Sequence, residues 1–596
     1  MVSKLSCGLV GLAAVMLLEA PLRADPPEEA VVPQVSTPHR EFLTRLARRT
    51  LRDLHLGRGV YDPEYVPAPL EALTAEVVIR LREGGFLLAV GAGGPASVAT
   101  AARDAALAAF PALGDQEHFD VARLSRLLIE IEVLGPAQPV AVEGDWTRWR
   151  AVDPFIEPGV HGMVLIGGRA QQRFCPSDLI TSDRVLADVL QSLAQSLHAD
   201  PSKIPGTPLY RFRTLHWAQR DADADIVTLH RGLTVLPPEA VSPSALDDAI
   251  GRLAEYMAYR QLESGLFTYQ YEVGADRYST EDNVVRQVGA ALAMAVHARW
   301  SQRSASLAAA DLAIRHHLQG LREIPEVDRA AFIATADGRH KLGVTALLAL
   351  AMAEHPEPEQ SAAVRDRLIN GMLWLQRPSG MFVTAFPPAE QIDAQDYFPG
   401  EALLAMARQY TLRPDARILE AFDRAITFYR GYFRQAGSPA FMPWQVQAYT
   451  ILARQTRRQD YEGYVFELAD LLADQQLTPE NCSWPELWGG IAAYQPGRAG
   501  VATAAYLEGF ADALTLARDA GDSERERRYE KVVRAAARFV MQLQVRPEEA
   551  YFVRSPQDAV GGIRSTPALN LLRIDHCQHA LIGLIKARQA LFPRAG

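Results

Sequence analysis

The stretch Asp396-Tyr397-Phe398-Pro399-Gly400-Glu401 sets two carboxylates and a phenol at the start of an alanine- and leucine-rich run. Glu401 is the only charge between Tyr397 and Ala407. A carboxylate in so apolar a helix needs a proton, a partner or a chemical task, because burying its ionised form raises its pKa. Similar clusters recur downstream and upstream: Asp282, Asn283 and Arg286; Arg339, His340 and Lys341; Trp444, Gln445 and Gln447; Trp484, Glu486 and Trp488, with Glu508 beyond them; Asp575, His576 and His579. Two carboxyls facing one bond can serve as acid and base in glycoside chemistry. Glu401 and Asp575 are the leading pair and Asp282 the third. Tyr397 can protonate a leaving group or a carbanion.

The remaining rim residues suit a substrate. Arg286, Arg339 and His340 fit an acidic sugar such as a uronate. Tyr269, Tyr271, Trp484 and Trp488 offer faces on which sugars stack, and Glu486, His576 and His579 offer polar contacts. Each has a structural alternative. Asp282 and Asp396 equally suit helix capping, worth roughly 0.3–1 kcal/mol. Glu401 suits a salt bridge, the two histidines suit packing near a helix start, and the tryptophans suit a core. Cys482, His576, Cys577 and His579 are also possible zinc donors, whereas the glycoside reading calls for no cofactor.

What positions these residues is a repeat. The texture of the Glu401 helix returns at Val288–Ala293, Gly343–Ala349, Gln447–Ala453, Gly509–Leu514 and His579–Ile585, with copies roughly 45–70 residues apart, enough for one helical hairpin each. The helical pattern predicts six pairs, outer then inner: Ala245–Leu262 with Glu281–Trp300, Ser306–Leu321 with Gly338–His355, Glu359–Leu375 with Asp396–Tyr410, Asp415–Arg434 with Phe441–Gln455, Asp460–Gln475 with Ala502–Asp519, and Ser523–Gln544 with Asp575–Leu591. The inner member is apolar nearly all round, so it should be buried. Inner-to-outer links are short. Outer-to-inner links are mostly long, and long loops in compact folds usually carry function. They and the inner-helix N-termini should open on one end of a barrel. Ser264-Gly265-Leu266-Phe267 and Ser379-Gly380-Met381-Phe382 follow outer helices that end in Gln261 and Gln376, the expected rim turns.

This pattern, from about Ser244 onward, resembles the α/α-toroid superfold of six-hairpin glycosidases, uronyl epimerases and polysaccharide lyases, which lanthionine and terpenoid cyclases share. The resemblance implies an all-α (α/α)6 toroid over 244–596 and a carbohydrate or other small-molecule substrate in its mouth. It leaves open a non-catalytic envelope protein binding a glycan or peptide, and a zinc-dependent or terpenoid cyclase-like enzyme. The cyclases' Cys-His-Gly motif is replaced here by Asp575-His576-Cys577-Gln578.

Upstream, strand-like and helical runs alternate from about His39 to Trp217, an α+β pattern. Ile129-Glu130-Ile131-Glu132-Val133-Leu134-Gly135-Pro136, Pro158–Leu165 and Phe174-Cys175-Pro176-Ser177 are similar to successive segments of the AMMECR-type domain. That family's Leu-Arg-Gly-Cys-Ile-Gly signature is here Leu87-Leu88-Ala89-Val90-Gly91-Ala92, without the Arg and Cys, which implies a scaffold or recognition role. The Gly91–Gly94 run lacks the lysine and hydroxyl of a phosphate loop. A linker is expected over 218–243, where Ile226–Leu229 and Leu233–Leu236 could pair as a hairpin. Met1–Ala24 reads as a secretory signal implying a periplasmic or extracellular protein, with an uncleaved anchor as the alternative, and 25–38 as a tether. No later stretch is long and apolar enough to cross a bilayer.

Composition adds bounds. A chain of 596 residues, 48% hydrophobic and 22% charged, can bury a large core. A net charge of -10 disfavours nucleic acid as a partner. Cys175, Cys482 and Cys577, left after signal removal, form no disulfide framework.

Overall fold

The computed structural model describes residues 32–593 except 115–118, 141–154, 168–169, 183, 198–206, 388, 437 and 495–496. The signal and most of the tether lie outside the described residues. No described helix is long and apolar enough to cross a membrane.

The inner helices are Val284–Ser301, Leu342–Glu354, Phe398–Leu412, Met442–Thr456, Ala502–Ala520 and Ile574–Leu591. Each packs on the next, and the sixth packs on the first, so the ring closes. The outer helices are Pro243–Tyr259, Ser304–Leu318, Ala362–Trp374, Ala416–Ala436, Gln459–Ala473 and Ser523–Leu543. All twelve lie where the hydrophobic pattern predicts them, with ends shifted by a few residues. One large apolar core runs between the two rings.

Close approach explains the alanine and glycine texture. A Cβ on Gly343 would lie 2.4 Å from Glu401 Oε2 on the neighbouring inner helix. A Cβ on Gly400 would lie 2.5 Å from Trp444 Cβ, and one on Gly289 would lie 2.0 Å from Gln578 Oε1 across the ring closure. Small residues on one helix thus make room for large side chains of the next.

The outer ring is stapled by a repeated device. Gln261, Gln376, Gln476 and Gln544 each follow an outer helix, and each donates from Nε2 to two backbone carbonyls. One acceptor is the glycine of the following turn: Gly265, Gly380, Gly489 or Gly561. The other belongs to a neighbouring outer helix: Ala309, Ala421, Val532 or Ala249. The last of these joins the sixth outer helix to the first. The glycines sit at φ 94°, 96°, 89° and 94°, in the left-handed half of the map. Only the first two copies carry the Ser-Gly spelling visible in the sequence.

The N-terminal region is an antiparallel sheet of eight strands. They are β1 (Thr74–Glu83), β2 (Phe86–Ser97), β3 (Leu128–Leu134), β4 (Gln138–Pro139), β5 (His161–Gly167), β6 (Ala170–Phe174), β7 (Leu209–Gln219) and β8 (Ile226–Leu229). The main order is β2-β1-β3-β7-β5-β6, with β4 and β8 also paired to β7. Helices Thr37–His55 and Val98–Gly114 cover one face. The Gly91–Gly94 run is strand, not loop. A Cβ on Gly91 or Gly93 would come within 1.9 Å of a carbonyl of the Val98–Gly114 helix, so these glycines serve strand-to-helix contact.

The other face of β1, β3 and β7 carries a buried polar network. Arg80 pairs with Glu132 at 2.5 Å and with Asp178 at 2.7 Å, Arg82 pairs with Glu130, and His216 contacts Glu130 at 3.2 Å. Ser177 donates to Glu132 at 2.6 Å. The expected linker does not hang free. Ile226–Leu229 joins the sheet as β8, but Leu233–Leu236 forms no strand partner for it. Instead Leu236 N–H donates to Gln542 and its carbonyl accepts from Arg538, both on the last outer helix. Arg231 is buried between Glu157 at 2.8 Å and Glu486 at 2.6 Å. Asn570 Nδ2 donates to the Ile180 carbonyl at 2.6 Å. Sheet region and helical ring therefore share a tight, polar-pinned contact.

Candidate active site at the mouth of the ring

A cavity of about 430 Å³ opens at the N-terminal end of the inner ring. Its wall takes residues from all six inner helices or the segments leading into them, including Arg286, Leu347, Glu401, Trp444, Tyr506 and His579. The peptide dipoles of converging helix N-termini make such a mouth electropositive. Among the rim loops a four-stranded sheet joins Gln270–Glu272 and Arg277–Tyr278 of the first hairpin to Arg564–Thr566 and Leu569–Arg573 of the last, and its Arg573 is part of the cavity wall.

Of the residues expected at the site, Glu401, Asp575, Tyr397, Arg286, His576 and His579 line this one cavity. Glu401 is buried, and its Oε2 has no hydrogen-bond partner. Burial pushes its pKa up to about 8, against a smaller opposing pull from His579. Its carboxyl is protonated at neutral pH. The salt bridge anticipated as its alternative is not formed among the described residues.

Asp575 is the opposite case. Burial works against its charge, but Arg573 holds both carboxylate oxygens at 2.6 and 2.8 Å, and Arg286 Nε adds a contact at 2.9 Å. These pairs, with His576, hold its pKa well below the usual carboxylate range. Two carboxyls in one cavity are thus driven to opposite sides of neutrality.

His579 Nδ1 lies 2.7 Å from Glu508 Oε1, a buried carboxylate on the fifth inner helix. Burial opposes protonation of the ring, but the Glu508 hydrogen bond and the charges of Glu508 and Asp575 outweigh it and raise the pKa. The Trp444 ring meets His579 edge-on at 5.7 Å between centroids. His576 is neutral: burial lowers its pKa to about 4, and its Nδ1 lacks a partner. Tyr397 precedes the third inner helix, is 45% exposed, and stands at the lip with Tyr494.

The other expected site residues lie elsewhere. Asp282 accepts from Gln287 Nε2 at 2.7 Å and faces a separate recess with His316 and Asp337. Asn283, the next residue, does the capping of the first inner helix. Arg339 reaches Gln391 at 3.4 Å, and His340 packs among Phe332 and Phe386. Neither lines the mouth. Tyr271 is buried and donates to Asp276 at 2.6 Å, so it offers no free face. Tyr269 is also buried, accepting from Arg286 Nη1 and so orienting it.

Trp484 and Glu486 belong to the contact with the sheet region, and Trp488 packs on the ring core. Trp484 lies under the Arg213 and Arg231 guanidiniums at 4.8 and 5.6 Å, Glu486 pairs with Arg231, and Trp488 Nε1 donates to the Cys482 carbonyl at 2.8 Å. Sugar platforms are not their geometry. The zinc donors are likewise not assembled. Cys482 lies in the ring core, where its carbonyl accepts from Trp488, burial pushes the Cys577 thiol up to about 12, and no metal-holding group of three such side chains occurs among the described residues.

Three wall residues escape a reading of the sequence. Arg573 ends a rim strand one residue before its helix, and only the sheet pairing turns it inward. Tyr494 and Tyr506 sit in and after the longest loops. A polar spacing signal existed only for Glu508, one turn into its helix.

No protein-family profile matches the sequence, and no curated protein is similar to it. Among solved structures the chain shows a distant likeness to several proteins. One is a sugar epimerase from a ruminal bacterium, with 10% identity and a TM-score of 0.42 over 58% of this chain and 98% of that one. A family 76 glycoside hydrolase from a bovine Bacteroides thetaiotaomicron strain covers 78% of this chain and 96% of its own, at 8% identity and TM-score 0.42. An uncharacterized protein, PH0010 from Pyrococcus horikoshii, covers 32% of this chain and 96% of its own, at 18% identity and TM-score 0.26. At this distance the chemistry must come from the site's own residues.

Proposed function

We propose that the mouth of the ring is the active site of a glycan-processing enzyme with a preference for acidic sugars. The observation that carries this reading is the pair Glu401 and Asp575, two carboxyls lining one cavity with pKa values pushed apart. Such divergence assigns roles: the protonated group donates and the ionised group takes the developing positive charge or the proton. Glu401 is the general acid. Asp575, held by Arg573 and Arg286, is the anionic partner that stabilises an oxocarbenium-like centre. Arg286 and Arg573 bring fixed positive charge to the wall, the Glu508 hydrogen bond favours the protonated form of His579, and the helix N-termini add to it. A substrate carboxylate would be drawn to this wall. Tyr397 at the lip is a second proton donor.

The test is turnover on a panel of neutral and uronate-containing oligosaccharides, wild type against Glu401→Gln and Asp575→Asn. Loss of about 10²–10⁴-fold in kcat for Glu401→Gln is expected, as for removal of a general acid. Full turnover by both variants would overturn the assignment. Saturable binding with no product from the wild type would favour a binding protein instead.

A further inference from the structure

A second recess adjoins the mouth, a cleft of about 670 Å³ between the helical ring and the sheet region. Leu179, Val185 and Leu186 line it from the sheet side, and Leu487, Ile491 and Leu569 from the ring. Tyr494, Val501 and Ala502 line both recesses, so the two adjoin at these residues. Its volume falls within the range of small-molecule sites, about 300–1,000 Å³, which are apolar with a few placed polar groups. Large apolar side chains are left open to water along this path: Val185 is 51% exposed, Tyr494 58% and Tyr397 45%. Contiguous exposure of that kind marks a surface that binds something.

The two recesses differ in character. The mouth holds the titratable acid and base groups, and the cleft is walled mainly by aliphatic side chains, with Glu157, Arg184, Arg231 and Arg498 also in its lining. Arg231 lies at the cleft's edge, neutralised by Glu157 and Glu486. A ligand spanning both must have a polar end and a long apolar end. We infer that the substrate is an amphipathic glycoside, with its sugar in the mouth and an aliphatic chain in the cleft against the sheet region. This inference rests on the reading of the mouth as a sugar site, and it assigns the sheet region a direct part in substrate selection. A purely polar polysaccharide would leave the cleft walls exposed to water in the complex, gaining nothing from them.

The experiment uses the full chain and a neutral apolar fluorophore, N-phenylnaphthylamine, with n-decyl glucuronide (below its micellar concentration) and methyl glucuronide as competitors. The expected result is saturable fluorescence enhancement, displaced by the decyl but not the methyl compound. Val185→Asp, at an exposed position, and separately Leu569→Arg, should each weaken fluorophore binding by about tenfold or more. Glu401→Gln should leave it unchanged. Absence of binding, binding unaffected by both cleft variants, or equal displacement by the two glucuronides would overturn the inference. Cleft binding as expected, together with turnover indifferent to Glu401, would instead remove the reading of the mouth and leave the cleft as a site for an apolar chain.

Discussion

At the scale of single residues, Glu401 governs how this protein should respond to pH. Its folded pKa, about 8, lies above the ordinary 4.5. The folded state therefore keeps a proton that the unfolded chain releases between about 4.5 and 8. Stability contributed by the protonated form is full below that window and is lost as pH rises through it. Glu401→Gln removes the titration, so the variant should gain on the wild type across the window, by a few kcal/mol at most. Denaturant midpoints of both proteins at a series of pH values will show this, and parallel curves would refute it. Catalysis has the same sign: kcat should fall as pH rises through about 8, because the acid has lost its proton. A protonated-carboxyl infrared band that vanishes over the same range, and is missing in Glu401→Gln, ties the limb to this residue. Asp575 runs the other way. Its depressed pKa keeps it ionised until strongly acid pH, so it adds no neutral limb.

At the scale of elements, the ring depends on how closely its inner helices approach. Gly343 faces Glu401 and Phe398 of the third inner helix, and a Cβ there would sit 2.4 and 2.5 Å from them. Gly343→Ala should cost about 1–3 kcal/mol by overpacking, and should disturb the Glu401 rotamer as well. Thermal unfolding reads the first effect and kcat the second. A variant as stable and as active as the wild type would show that the helices separate without cost. The glutamine staples work at the same scale on the outer ring. Their common geometry was legible in the sequence only in part. Gln261 and Gln376 precede a visible Ser-Gly turn, whereas Gln476 and Gln544 are separated from Gly489 and Gly561 by longer insertions. A hydrogen bond ignores how many residues intervene, but a sequence repeat does not.

At the scale of the whole molecule, the sheet region is joined to the ring by buried charge. Arg231 sits between Glu157 and Glu486, and Glu486 is almost wholly enclosed. Replacing Arg231 by Met would strand the Glu486 carboxylate without its partner. The cost expected for breaking such a pair is about 3–5 kcal/mol. Limited proteolysis should then cut first between the sheet region and the ring, and the double variant Arg231→Met/Glu486→Gln should recover part of the loss. Unchanged protease resistance would mean that the apolar contact around Ile180, Tyr271 and Phe552 holds the two without the ion pair.

The helices were readable from the sequence by itself, since their burial is written as alanine-rich runs repeated at hairpin spacing. So was the end of the ring at which Glu401, Asp575 and His579 meet, because long loops and helix starts fall together. The sequence did not show which polar residues face inward. Trp484 and Glu486 read as rim residues and turn out to bind the sheet region, and Arg573 goes unnoticed until strand pairing aims it at Asp575. Helix periodicity is a local property that a sequence carries at every turn. The direction of a loop side chain is set by contacts with segments hundreds of residues away, and those contacts exist only once the chain has folded.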